Sequence, residues 1–221
     1  DFYYSVPSGF RALCSANLPP TVPSINAQKH FDTLLYTGDG SSSNQVTGLE
    51  FKPDLVWIKG RSGGTSHVIQ DVVRGNFILY PDSNSQEGAT GGGWVKSFNS
   101  DGFTTDVNGP INTNNATYVA WCWKAGGAAS SNSDGTITSS LSANQEAGCS
   151  IITWTGTGSA GTIGHGLGKA PKLIIVKLRS GSQDWFVNNG MIFNDYGKYF
   201  KLNASSSSNA SDTNVFPNTA P

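Results

Sequence analysis

Charge is what this 221-residue chain lacks most: Asp, Glu, Lys and Arg make up only 13% of it, and the net charge is -1. An ordinary domain carries about twice that share. Without a basic excess there is no electrostatic footprint for a nucleic acid. Long apolar runs are missing as well. Leu173–Val176 is an apolar run of only four residues, whereas a membrane helix needs about 20. Cysteine is limited to Cys14, Cys122 and Cys149, spaced widely and irregularly, which suggests neither a disulfide framework nor a zinc site. No secretory leader is visible. The chain does not open with Met, and its single Met is Met191, so it reads as a fragment or a processed product. A sustained 3.6-residue apolar period is also absent; one short helix near residues 27–30 is the most that is expected.

Small polar residues are what the chain has in abundance. Gly, Ser, Asn and Thr together make up about 42% of it, a composition that favours turns and strands over helix interiors. Aromatics reach 11%, too many for a disordered chain. An all-β protein follows from the two together.

Self-similarity organises the sequence. Residues 36–63 (YTGDGSSSNQVTGLEFKPDLVWIKGRSG) align without a gap on residues 154–181 (WTGTGSAGTIGHGLGKAPKLIIVKLRSG), at an offset of 118. Twelve of these 28 positions are identical. They include Pro53/Pro171, Leu55/Leu173, Lys59/Lys177 and Arg61/Arg179, which composition alone does not explain. Each copy runs from a β-rich segment into a Thr-Gly-x-Gly-Ser turn, then to Gly-Leu and a Pro at a strand start. The strongest strand signals follow, at 54–59 and 172–177. Both read as continuous β-branched and aromatic runs buried on two faces. Short strands between Gly/Asn/Ser turns predict tandem β-sandwich-like units related by the repeat.

Four segments are expected. Residues 1–30 read as the tail of an upstream domain and an extended connector, with Pro19, Pro20 and Pro23. Residues 31–124 form the first sandwich unit, closed by the Tyr-Val-Ala-Trp-Cys-Trp strand at 118–123. Residues 125–133 (AGGAASSNS) read as a flexible linker without apolar anchors. Residues 134–221 form a second, incomplete unit, because nothing in it matches 118–123. A sandwich lacking a strand exposes an edge, so further chain or a strand from a neighbour is expected there.

Chemistry-bearing motifs are sparse. His67, Asp71 and Arg74 could form an acid–base pair, but a surface ion pair shaping a turn is the simpler reading. His165, between glycines, has no nucleophile or metal partner at a telling distance in sequence. Asp39 and Asp134 sit in pieces of calcium-loop sequence without the further acids such a loop requires, so they read as turn residues. The Gly91–Gly93 run lacks the rest of a phosphate-binding motif. Asp71, Glu87 and Asp184 are the only plausible donors for glycoside hydrolysis, and no carboxylate pair stands out among them. No cofactor, metal or catalytic residue is expected. Trp94, Trp185 and Tyr196, flanked by polar and Gly-rich sequence, are the candidate glycan-stacking residues, with core filling as the simpler alternative. Trp57, Trp121 and Trp123 read as core. Cys122 reads as a small buried hydrophobe.

One resemblance covers almost the whole chain. It rests on Val6-Pro-Ser-Gly-Phe-Arg-Ala-Leu, Phe31-Asp-Thr-Leu-Leu-Tyr-Thr-Gly, Pro53-Asp-Leu-Val-Trp-Ile-Lys, Phe98-Asn-Ser-Asp-Gly-Phe, Tyr118-Val-Ala-Trp-Cys-Trp-Lys-Ala-Gly-Gly and Gly164-His-Gly-Leu-Gly-Lys-Ala-Pro-Lys-Leu-Ile-Ile-Val-Lys. Together these resemble the repeat-bearing tail-fibre and other virion structural proteins of tailed bacteriophages of marine bacteria and cyanobacteria. The resemblance implies a non-enzymatic virion protein, in a tail fibre or surface appendage of the extracellular particle. It implies as partners other virion subunits, a homo-oligomer (a trimer among the options) and host-surface glycans. It also implies that the N-terminal segment ends a lectin-like sandwich. A capsid decoration or connector module without ligand, and a polysaccharide-degrading tailspike, are the alternatives.

Overall fold

The computed structural model describes residues 26–89, 94–107, 110–189, 198–204 and 210–211. Residues 1–25, and with them Cys14 and the expected connector, lie outside the described residues. Among the described residues the fold is all-β and antiparallel, apart from one 3₁₀ turn, Ala27–Lys29, capped by the Asn26 side chain. Nine strands follow in the first unit: β1 (Phe31–Thr37), β2 (Gln45–Thr47), β3 (Leu55–Gly60), β4 (Val68–Asp71), β5 (Phe77–Ile78), β6 (Gly88–Ala89), β7 (Val95–Asn99), β8 (Gly102–Thr105) and β9 (Thr117–Trp123). One sheet runs β1-β9-β3-β4 and a second β2-β8-β7, with β5-β6 a short hairpin.

Successive side chains on a strand point to opposite faces, and this sorts the sequence into a core and an outside. Val56 and Ile58 of β3 and Tyr118, Ala120 and Cys122 of β9 point inward. They meet Val46, Val95 and Phe103 from the second sheet, with Leu49, Phe51 and Ile111 from the loops. Two sheets enclosing one apolar layer make a sandwich. Closing strand β9 sits in the middle, paired over its whole length with β1 and over six residues with β3.

The second unit contains β10 (Ser130–Asn132), β11 (Ser139–Asn144), β12 (Cys149–Trp154), β13 (Leu173–Val176), β14 (Phe186–Asn189), β15 (Lys198–Lys201) and β16 (Ala210–Ser211). The 118-residue offset carries β1 onto β12, β3 onto β13 and β4 onto β14. The registers repeat as well: Trp57↔Ile69 becomes Ile175↔Val187. With three residues inserted, the Ile69↔Leu79 bridge becomes Val187↔Phe200. The pairing of Phe77 with Ala89 becomes that of Lys198 with Ser211. Among the described residues the centre does not recur. Here β12 ends one sheet, β10-β11-β12, and β13 begins another, β13-β14-β15-β16.

Two expectations need correction. Residues 125–133 are not a free linker. Ala125 is buried, Ser130–Asn132 form β10, and the Gly126 and Gly127 N–H groups bond to Ser142 Oγ and Asp54 Oδ2. Nor are the two repeated strands buried on both faces. Trp57, Trp121 and Trp123 alternate with the core residues and are only half-buried. In β13, Leu173 and Ile175 are 54% and 43% exposed. Hydrophobic residue type marks a strand, but its neighbours decide which face is covered.

The two units touch through Trp185, which packs on Ile69 and Leu79. Its indole N–H donates to the Tyr80 and Ser83 carbonyls, at 2.9 and 3.1 Å. Beside it Arg179 pairs with Glu87 at 2.7 Å, and Glu87 N–H donates to the Arg179 carbonyl.

Candidate functional site

The outward face of the β1-β9-β3-β4 sheet carries an aromatic surface that its own strands assemble. Cross-strand register places Phe31, Trp123 and Leu55 in one row, Thr33, Trp121 and Trp57 in the next, and Leu35, Val119 and Lys59 in the third. Directly opposed residues on one face have their Cβ atoms about 5 Å apart, so the rings meet. Phe31 and Trp123 lie with centroids 5.0 Å apart, and Trp57 and Trp121 meet edge to face at 6.1 Å. The Trp57 indole N–H donates to His67 Nδ1 at 2.9 Å, with the imidazole edge-on to the same ring. Burial, and then the Lys59 charge, hold the His67 pKa below its ordinary value, against the opposing effect of Asp82. Lys59 is itself tied to the Thr65 carbonyl. Leu35 is 64% exposed, and Phe31 and Thr33 are exposed too. A contiguous, partly open apolar patch of this kind is the type of surface that can bind a partner or ligand. Its indoles supply flat π faces with a polar edge.

A family model described as a domain of unknown function (DUF7483) matches residues 26–221. The chain belongs to that family. Comparison with curated proteins and with solved structures gives no match.

The residues singled out in this DUF7483 sequence divide differently from expectation. Trp185 is corrected as a stacking candidate: it is 4% exposed, spent on joining the units. Trp94 is half-buried against the first core, with Tyr80 edge-on at 6.2 Å. Tyr196 lies outside the described residues, as does the Gly91–Gly93 run. Of the three tryptophans read as core, Trp57 is half-buried against the cluster of Ile69, Leu79 and Trp185, and Trp121 and Trp123 are half-buried on the outer face. A sequence signal existed, since Trp57 and Trp121 occupy alternate positions from Ile58 and Ala120, but nothing in it said which face was covered.

His67, Asp71 and Arg74 do not form one cluster. The Asp71–Arg74 pair, at 2.7 Å, is buried rather than on the surface. Asp71 Oδ1 also accepts the Val73 and Arg74 N–H groups, and Arg74 donates to the Ile69 and Phe77 carbonyls. Glu87 is held by Arg179. Asp184 is held by Lys201 at 2.6 Å and by Asn203, and these bonds keep its pKa below the usual carboxylate range. A glycosidase acid needs a raised pKa, and Asp184 is shifted the opposite way.

Asp39 caps its own turn by accepting Ser41 N–H and Oγ–H. Both contacts lower its pKa, the backbone one most. It also meets Asn112, a fully buried residue that sequence reasoning missed. Asn112 Oδ1 accepts from Asp39 N–H and from Asn44, while its Nδ2 donates to Asp39 and to the Ser41 carbonyl. His165 accepts Leu167 N–H within its own turn, and Asp134 is bonded to Asn132. Among the described residues no three His, Cys, Asp or Glu side chains converge as metal ligands would. Burial pushes the Cys122 thiol up to about 12 and the Cys149 thiol up to about 11, away from the reactive thiolate range.

Proposed function

We propose that this chain is a non-enzymatic structural segment of a bacteriophage virion, in a tail fibre or surface appendage, and that its outer sheet face contacts host-surface glycans. The observation that carries this reading is the half-open row of Trp121 and Trp57 beside exposed Thr33 and Leu35. A sugar's C–H face packs on such rings, and neighbouring hydroxyls and amides bind its edge. Low charge and a rigid β scaffold suit weak contacts multiplied by many copies. The resemblance to phage repeat proteins supplies the virion and the extracellular location.

A second reading, a connector module without ligand, draws on Trp185. One end of the same face already receives a protein side chain there. A glycan array with the intact protein separates the two. The adhesin reading expects a defined set of glycans to bind, binding to fall at least about tenfold in Trp121→Ala, and Trp94→Ala to retain it. Uniform absence of glycan binding, with the protein found in purified virions, sinks adhesion and leaves the connector.

A further inference from the structure

The aromatic face ends in a corner of cations that the first unit leaves unpaired. Alternation along β3 carries the outward row from Trp57 to Lys59 and on to Arg61, which follows the strand and donates its N–H to the Thr117 carbonyl. Arg61 is therefore level with Thr117 and Thr37. It lies about 7 Å beyond the row of Leu35, Val119 and Lys59, and about 14 Å beyond that of Thr33, Trp121 and Trp57. Lys59 spends one proton on the Thr65 carbonyl and keeps two. The guanidinium of exposed Arg61 has no hydrogen-bond partner among the described residues, and none of their ion pairs involves Lys59 or Arg61. Two acids border the corner. Asp82 accepts the His67 N–H at 3.3 Å, at the β4 margin. Asp39, just past β1, is spent on Ser41 and Asn112.

The repeat shows what such a corner holds. At the 118-residue offset Lys59, Arg61 and His67 become Lys177, Arg179 and Trp185. There Arg179 takes the Glu87 carboxylate at 2.7 Å and Lys177 donates to the Asn84 carbonyl at 3.3 Å. Trp185 donates to the Tyr80 and Ser83 carbonyls. One carboxylate and several neutral oxygens thus fill the second corner. The same loop of another copy is not free to fill the first, because residues 80–87 are already engaged within their own chain. What adjoins the first corner is a ring surface, Trp121, with Thr33 and Thr37 exposed along β1.

We propose that the Lys59–Arg61 corner is an anion subsite of the aromatic face and that its ligand is an acidic oligosaccharide. One sugar packs its C–H face on Trp121, and the carboxylate of another sugar in the same chain sits between Lys59 and Arg61. This rests on the glycan reading above and narrows it to uronic-acid-type ligands. A planar guanidinium meets a carboxylate with two parallel N–H bonds. Thr37 and Thr117, in the same row, offer hydroxyls to the ring that carries it. The distance from Trp121 to Arg61 is bridged by an oligosaccharide and not by a single sugar.

The test measures binding of the full chain to oligosaccharides of galacturonate, glucuronate and mannuronate by calorimetry. Each is compared with its carboxyl-reduced form, which keeps the linkage and loses the charge. At least one acidic form should bind about fivefold more tightly than its neutral partner, and added salt should shrink that preference. Arg61→Gln should bring the acidic form down to the level of the neutral one. Arg179→Gln, which breaks the matched pair with Glu87, should leave the preference in place. Equal binding of acidic and neutral forms overturns the subsite and leaves the glycan reading standing, as does a preference that survives Arg61→Gln. If neither form binds, the glycan reading falls and the subsite with it. Self-association of the chain that Arg61→Gln abolishes would assign the corner to a second copy and overturn the proposal.

Discussion

The first and second units share twelve of 28 aligned positions, and their described residues reach different states. Val56 and Ile58 are buried, while Ile174 and Val176, at the same places, are only half-buried. Val46 stands on β2 opposite Phe103 of β8, whereas its counterpart Gly164 lies in no strand. Gly38 is hemmed in by the 112–113 loop, so that a Cβ there would collide with the Thr113 carbonyl, yet its counterpart Gly156 has nothing within 4 Å. Only what is local is shared. Gly40 and Gly158 both hold positive φ, at 66° and 77°, where a side chain is strained in any surroundings. A repeat thus transmits its turns and strand positions through sequence, but burial comes from the strands that arrive later, β7, β8 and β9 in the first unit.

The sharpest way to break this comparison is to remove a group that only the first unit has. Arg74→Met strips the buried Asp71 carboxylate of its partner, which should cost about 3–5 kcal/mol. Chemical denaturation followed by tryptophan fluorescence checks this, and a loss under about 1 kcal/mol refutes the buried-pair argument. Next comes Ile58→Ala, expected to cost about 2–5 kcal/mol as a cavity in a closed core. Val176→Ala at the matched position should cost about 1 kcal/mol or less, since its site is half-open. Equal losses at the two positions would erase the distinction between the units. Trp185→Phe keeps the ring between the units but deletes both indole bonds. It should cost about 1 kcal/mol and speed proteolysis between residues 125 and 138.

Much of the fold was legible because strands announce themselves locally. The alternation of β9, the charge-bounded run of β3 and the 118-residue offset gave the all-β class and the tandem arrangement. The site was not legible, because exposure is set by long-range neighbours. Trp121 and Ala120 are adjacent in sequence, yet one faces water and the other the second sheet. Trp185 sits among Gly, Gln and Asp, as an exposed ring would, and is nevertheless buried by a contact with Tyr80 and Ser83 about a hundred residues earlier. Asn112, in a run of Asn and Thr, carries no mark that separates it from Asn114, which is exposed. Only the folded loop picks it out as the residue that holds Asp39, Ser41 and Asn44.

The smallest expected effect concerns pH and the aromatic face, which has no counterpart in the second unit, where Trp185 replaces His67 and Ile175 replaces Trp57. The pKa of His67 is lowered on folding, first by burial and then by Lys59. A depressed histidine means that the unfolded chain takes up the proton more readily, so its neutral form favours the fold. This contribution is fully present above the unfolded value of about 6.5 and is lost as the pH falls from there through the lower folded value. Protonation also turns Nδ1 from acceptor to donor and removes the bond from the Trp57 indole. The denaturation midpoint should therefore fall between pH 7.5 and pH 5, and His67→Gln should show a shallower fall. Asp39 and Asp184, whose pKa values lie below the ordinary 3.8, act only at lower pH and leave this window clear. An identical slope in the His67→Gln variant would assign the pH dependence elsewhere and leave the imidazole a spacer for Trp57.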